Sequence, residues 1–314
     1  MQTRAIGSLQ ASVIGLGCNN FGGRINEGAS VAVVDAALDA GITLFDTADV
    51  YGGTLSEEYL GRALGRRRDQ AVIATKFGAP IDDERKGGAS PAYIERACED
   101  SLRRLDTDRI DLYQLHFPDQ AVPLEDTLAA LDTLERAGKV REIGCSNYST
   151  ELIEQAESIS AEKQIARYVS VQNEYSLLRR GPEQNGVLDA CEKYDVAFIP
   201  YFPLGSGMLS GKYKRGEAAP EGTRLASMPA DRQELLFSTK NFDRIEALEA
   251  WARDHGHSLL ELAFAWLLSR PSVASVIAGA TKPEQVQANA AGAAWALTPA
   301  ELAEVDAVIE AARS

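Results

Sequence analysis

Cysteine and histidine are scarce: four and three, respectively, in 314 residues. Cys18, Cys98, Cys145 and Cys191 form no C-x-x-C pair, which excludes a zinc knuckle and a redox dithiol of the usual spacing. They are expected to be free thiols, mostly in the core. His255-Gly256-His257 closes a helical pattern with no carboxylate or cysteine placed to complete a metal site, so it reads as a loop and no metal is expected. Long apolar runs are also missing. The longest, Leu259–Leu268, spans about ten residues and contains Glu261, whereas a membrane helix needs roughly twenty. Met1-Gln2-Thr3-Arg4 lacks the basic segment and apolar run of a secretion signal, and a cytoplasmic protein is expected. Positive charge is in deficit, with 32 Lys plus Arg against 46 Asp plus Glu and a net charge of −14. That balance repels phosphate backbones and anionic lipid, so neither nucleic acid nor membrane is an expected partner. Two nucleotide fingerprints fail as well. Gly15-Leu16-Gly17-Cys18-Asn19-Asn20 lacks the last glycine of a dinucleotide turn, and the run from Gly205 to Tyr213 lacks the first glycine and the final Ser or Thr of a phosphate loop.

What is present is a regular alternation. With 45% hydrophobic and 25% charged residues the composition is that of an ordinary globular chain. Short β-rich runs at 13–17, 42–46, 71–77, 111–117, 140–146, 168–173, 197–202 and 273–279 alternate with amphipathic helical patterns. In the pattern at 124–137, Leu124, Leu128, Leu131 and Leu134 share one stripe. Asp46, Lys76, His116, Ser146, Gln172 and Tyr201 recur at the strand ends, spaced by 30, 40, 30, 26 and 29 residues, close to the roughly 30 of one βα unit. Helix starts are marked by Ser90-Pro91 and by two expected capping boxes, Thr281 to Glu284 and Thr298 to Glu301. The expected fold is α/β: a single domain over residues 1–314, a (β/α)8 TIM barrel with an N-terminal β-hairpin at 4–12 plugging its floor and a C-terminal helical extension. An insertion at 204–241, followed by two helices, separates the last two strands.

In a closed parallel barrel the strand ends converge on one mouth. There Asp46, Tyr51, Lys76 and His116 would meet, a set suited to donating a proton to a nascent alkoxide. A Lys cation is expected to lower the phenol of Tyr51 from its usual value of about 10. Asp46 holds the Lys, and His116 orients a carbonyl oxygen. Each residue alone has a plain structural explanation, in a cap, a loop or a solvated strand end. Four complementary groups at the ends of three strands are hard to obtain from packing alone. A phosphate group would lie between the loops at 203–207 and 278–285, the second opening a helix through a Thr281 cap.

The run Phe45-Asp46-Thr47-Ala48-Asp49-Val50-Tyr51-Gly52 is joined by three further signatures: Lys76, Leu115-His116-Phe117-Pro118-Asp119, and the stretch from Arg136 to Asn147. Together they resemble the aldo-keto reductase superfamily over almost the whole chain, in the bacterial-type branch related to potassium-channel β-subunits. The resemblance implies an enzyme reducing an aldehyde, ketone or sugar carbonyl reversibly, with Tyr51 as general acid, Lys76 and Asp46 tuning it, and His116 orienting the carbonyl. It implies that Ser146, Asn147 and Gln172 hold a nicotinamide carboxamide and that Tyr201 stacks on its ring. Leu204, Ser206 and Lys212 match the phosphate loop; Gly279, Thr281, Lys282, Gln285 and Asn289 match the segment around the adenosine phosphate. A cation at Lys282 suits a ribose 2′-phosphate, favouring NADPH over NADH. The chain departs from the family pattern at Phe117, Phe202 and Ala278. Phe21, Phe77, Phe117 and Phe202 either wall the substrate pocket or pack in the core. Two other readings are a cofactor-binding regulatory subunit with little turnover and a lyase forming a Schiff base on Lys76. The physiological substrate and the oligomeric state are not legible.

Overall fold

A computed structural model of the chain describes residues 1–312. The chain opens with an antiparallel hairpin of β1 (Thr3–Ile6) and β2 (Leu9–Ser12) in the register Ile6 to Leu9. Its two-residue turn works because Gly7 adopts a φ of +56°, open to glycine. The Ser8 N–H donates to Glu142 Oε1 at 2.6 Å, tying the turn to the barrel. Ile6, Leu9 and Ala11 then pack with Leu44, Ala74, Leu112 and Ile199, so the hairpin floors the barrel interior.

Eight parallel strands follow: β3 (Ile14–Gly17), β4 (Leu44–Asp46), β5 (Val72–Phe77), β6 (Ile110–Leu115), β7 (Val140–Ser146), β8 (Tyr168–Gln172), β9 (Ala197–Phe198) and β10 (Val276–Gly279). They lie in the order β10-β3-β4-β5-β6-β7-β8-β9. The ring closes where the Phe198 N–H donates to Ser272 O at 2.7 Å and the Ala274 N–H donates to Phe198 O at 3.0 Å. The result is the expected (β/α)8 barrel, in which the two-residue side-chain period sends Leu112 inward and Tyr113 and Leu115 toward the helices. The helix Leu124–Arg136 buries Leu128, Leu131 and Leu134 against the sheet, as its stripe predicts.

Three expectations need correction. The run at 197–202 is ladder only over Ala197–Phe198, because Pro200 has no N–H to donate; pairing resumes where the Tyr201 N–H donates to Asn173 O at 3.1 Å. The run at 273–279 is ladder from Val276, with Val273 in a lone bridge to Phe198. Thr281 does not cap the helix Pro283–Ala291: Lys282 is its N-cap and makes no side-chain capping bond. Pro283 at the first helical position already presets the turn. Thr298 and Glu301 do form a capping box on the helix Pro299–Ala311. That helix packs on Thr239–Asp254 as the C-terminal extension, with Trp251 Nε1 donating to Glu304 Oε2 at 3.1 Å. The insertion folds into short 3-10 turns at Gly205–Ser210 and Leu225–Ser227 and a helix at Ala230–Leu236. All four cysteines are buried and free. Among the described residues no helix is long and apolar enough to cross a membrane.

Candidate active site

Register alone brings the strand ends to one rim: Asp46 pairs across to Ala74, Lys76 to Gln114 and Ser146 to Gln172. Lys76 is 0% exposed, a position a charged amine tolerates only when its protons are taken up. Its Nζ donates to Asp46 Oδ1 at 2.8 Å, Asp46 Oδ2 at 2.7 Å and Thr47 O at 2.8 Å. Its Nζ also lies 5.1 Å from the centre of the Tyr51 ring. The Tyr51 ring stands edge-on to His116 at 5.8 Å. The four expected residues therefore gather at one corner of the mouth.

Tyr51 is presented by a 3-10 turn, Tyr51–Thr54, in which Gly52 and Gly53 have φ of +60° and +65°. A Cβ on Gly52 would collide with the Phe21 carbonyl oxygen, so the close packing of this turn on the loop after β3 requires glycine.

Burial is the largest influence on Tyr51 and raises its phenol above the usual value; Lys76 and, less strongly, Arg224 pull it down, while Asp46 pushes it up. The expectation of a phenol lowered by Lys76 is thus half of the balance: the cation acts in the expected sense, and desolvation outweighs it. Burial also pulls Lys76 down, but Asp46 and Tyr51 together carry it above its ordinary value. An ammonium held this way is no free amine for a Schiff base. Burial, with Lys76 adding to it, lowers His116 to about 3, so its imidazole is neutral. A neutral imidazole keeps one N–H to give a carbonyl oxygen.

The residues expected around a nicotinamide are knitted into the same rim. Gln172 Nε2 donates to Asp46 Oδ1 at 2.9 Å, and Ser146 Oγ donates to Gln172 O at 2.7 Å. Asn147 Nδ2 donates to His116 O at 2.9 Å, and Tyr201 OH donates to Asn147 Oδ1 at 2.8 Å. In the next loop Gly205, Ser206 and Gly207 turn through φ of +52°, +60° and +93°. The half-buried Leu204 caps this turn, and Lys212 folds back over it, so that a Cβ on Gly207 would lie 2.9 Å from its Nζ. Across the mouth, Gly279 is exposed and faces Asn19 and Asn20. Thr281 is clasped by Gln285, whose Oε1 accepts from the Thr281 N–H at 2.7 Å and its Oγ1 at 3.1 Å. Lys282 is exposed at the helix start, and Asn289 is buried in that helix. This donor set fits an anionic dinucleotide: cations and positive-φ backbone at one end, amide and hydroxyl side chains beside the tetrad at the other.

The phenylalanines divide. Phe21 and Phe77 are 0% exposed, Phe77 stacking on Tyr113 at 4.7 Å, so they pack in the core. Phe117 is 49% exposed and lies flat against His116 at 4.8 Å, and Phe202 is half-buried at the rim. Two residues went unseen in the sequence. Arg224, from the insertion, sits 4.8 Å over the Phe202 ring and acts electrostatically on both Tyr51 and Arg24. Arg24 donates to Gly222 O at 2.8 Å and to Asn20 Oδ1 at 3.4 Å, tying the insertion to the loop after β3. Among the described residues neither arginine pairs with a carboxylate. No local pattern marks them, since they meet only through the insertion's path. His255 and His257 lie elsewhere, stacked at 3.9 Å on Trp251 and Trp295 respectively.

Residues 13–310 match the Aldo/keto reductase family. The chain is 35% identical over 304 residues to "Probable aldo-keto reductase 1" of Glycine max, covering 94% of this chain and 85% of that protein. It is 35% identical over 310 residues to "Aldo-keto reductase YhdN" of Bacillus subtilis (strain 168), covering 96% and 91%. With "Uncharacterized oxidoreductase YrpG" of the same organism it shares 34% identity over 291 residues, covering 89% and 86%.

Proposed function

The chain belongs to the aldo/keto reductase family and is an oxidoreductase; from that premise we propose that it reduces an aldehyde, ketone or sugar carbonyl to the alcohol, with NADPH as hydride source and Tyr51 as proton source. The observation that carries this reading is the corner where Lys76, held by Asp46, lies 5.1 Å from the centre of the Tyr51 ring beside a neutral His116. When bound, the reduced nicotinamide supplies the hydride to the carbonyl carbon. His116 donates a hydrogen bond to the carbonyl oxygen and holds it toward Tyr51. As negative charge grows on that oxygen, the Tyr51 hydroxyl gives up its proton, and Lys76 stabilises the phenolate left behind. Proton return from solvent restores the donor. Asp46 keeps the ammonium in place and is not itself consumed.

Ser146, Asn147 and Gln172 are the residues that would hold the carboxamide, and Tyr201 the one that would lie along the ring. Leu204, Ser206, Lys212, Arg24 and Arg224 would embrace the diphosphate, which supplies the anion the two arginines lack. Gly279, Thr281, Lys282, Gln285 and Asn289 would take the adenosine end, with Lys282 suited to a 2′-phosphate. Phe117 and Phe202 would flank the substrate, and the whole works as one barrel domain.

The decisive experiment is Tyr51→Phe, followed by NADPH oxidation with a panel of aldehydes, ketones and sugars. Loss of the general acid should cost about 10²- to 10⁴-fold in kcat, with NADPH binding, read from the cofactor's own fluorescence, retained. Turnover that survives in this variant would remove Tyr51 from the role.

A further inference from the structure

The loop that presents Tyr51 contains a second carboxyl in an unusual place. Asp49 is 1% exposed, and neither of its oxygens has a hydrogen-bond partner among the described residues. Its backbone N–H donates to the carbonyl of Lys76 at 3.0 Å, so the loop is pinned to the strand that carries the tetrad ammonium. Titratable groups face it from every neighbouring element. They are Lys76 on β5, Glu57 on the helix Leu55–Leu64, Arg104 and Tyr93 on the helix Pro91–Leu105, and Tyr113 on β6, on which Cys98 acts in turn.

Charge counting singles Asp49 out. Glu57 accepts from Arg104 Nε at 2.6 Å and from Thr75 Oγ1 at 2.5 Å, which commits the guanidinium. Lys76 directs its donors to Asp46 and Thr47. Three carboxyls, Asp46, Asp49 and Glu57, thus share two buried cations, and Asp49 alone lacks a bonded partner. A buried carboxyl in that position lowers its cost by holding a proton. Burial first, then the charge of Glu57, raise it to about 7, against the opposing pull of Arg104 and, more weakly, of Lys76.

We propose that Asp49 is a positioning residue for the proton donor, acting through Lys76: protonated, it leaves the ammonium free to favour the Tyr51 phenolate, and ionised, it adds a counter-charge that weakens this pull. The role rests on the reduction reading above. Its consequence is that Tyr51 becomes a poorer acid as Asp49 ionises, so kcat for reduction falls as pH rises through neutrality.

Asp49→Asn, isosteric and permanently neutral, tests this. The wild type should lose kcat several-fold between pH 6 and pH 8.5 with a midpoint near that of Asp49, while the variant stays flat across the range. KM for the carbonyl and for NADPH should be the same in both. A structural role alone would lower kcat at every pH without changing the profile. A second measurement needs no turnover. The folded-state value of Asp49 lies above its unfolded value, so the wild type loses stability relative to the variant as pH rises from about 4 to about 7, and the difference levels off above that. Urea midpoints of the two proteins across that range should diverge in this way. Parallel midpoints would overturn the buried proton, and superimposable kcat profiles would overturn the positioning role. A wild type that turns over no carbonyl at all sinks the reduction reading and the positioning role with it, while diverging midpoints would still show that Asp49 holds its proton.

Discussion

Gln172 Nε2 donates to Asp46 Oδ1 at 2.9 Å although 126 positions separate the two residues. The bond crosses the mouth from β8 to β4, over the ends of three intervening strands. Asp46 is therefore gripped from both sides, by the Lys76 ammonium and by an amide, and its orientation is set before any substrate arrives.

Removing Asp46 strands a 0% exposed ammonium. Asp46→Ala is expected to cost about 3–5 kcal/mol, the range for breaking one partner of a buried pair. The double variant Asp46→Leu with Lys76→Met should recover most of that loss without recovering reduction. Urea denaturation of the three proteins measures it; an unchanged midpoint in the single variant would mean that Lys76 finds another counter-charge.

His116 contributes a pH dependence of the opposite sign to that of Asp49. Its folded-state value of about 3 lies below the unfolded one of 6.5. The stability it contributes is complete above pH 6.5 and declines as pH falls toward 3, because unfolding takes up a proton that the native imidazole refuses. The wild type should lose ground to His116→Gln over that window. Imidazole NMR offers a direct check, since the His116 signals should stay at their neutral positions from pH 8 down to pH 5.

Gly52→Ala places a Cβ against the Phe21 carbonyl in a residue whose φ is +60°. Strain at such a position costs of the order of 1–3 kcal/mol, and the turn that carries Tyr51 must move to relieve it. The expected outcome is a lower melting temperature together with a fall in kcat out of proportion to KM. Wild-type kcat in a destabilised protein would show that Tyr51 tolerates displacement of its turn.

Lys282 is exposed and forms no ion pair among the described residues. Lys282→Ala should weaken NADPH by about tenfold, the scale of one charge-assisted hydrogen bond, and leave NADH nearly unaffected. Fluorescence titrations with both cofactors decide this. Equal weakening would assign the 2′-phosphate to another residue.

Much of this architecture is legible in the chain. Eight apolar runs with polar residues at their ends, at near-constant spacing, report a parallel barrel because each βα unit repeats the same local solution. Two local features override the apolar pattern. Pro200 interrupts a ladder that the composition of the surrounding apolar residues would continue. Pro283 makes a Thr281 cap unnecessary, leaving that threonine to Gln285.

The sequence itself determined the residue chemistry, a phenol, an ammonium, a carboxylate and an imidazole at strand ends, and with it the family. Tertiary structure alone decided how those groups are tuned. Burial outweighs Lys76 at Tyr51, Arg24 reaches a carbonyl 198 positions away in the insertion, and Asp49 is left over when two buried cations are shared among three carboxyls. Local propensity and periodicity act over a few residues, so a sequence displays them openly. Desolvation and Coulomb forces act through distance and depth, which exist only once the ring of strands has closed.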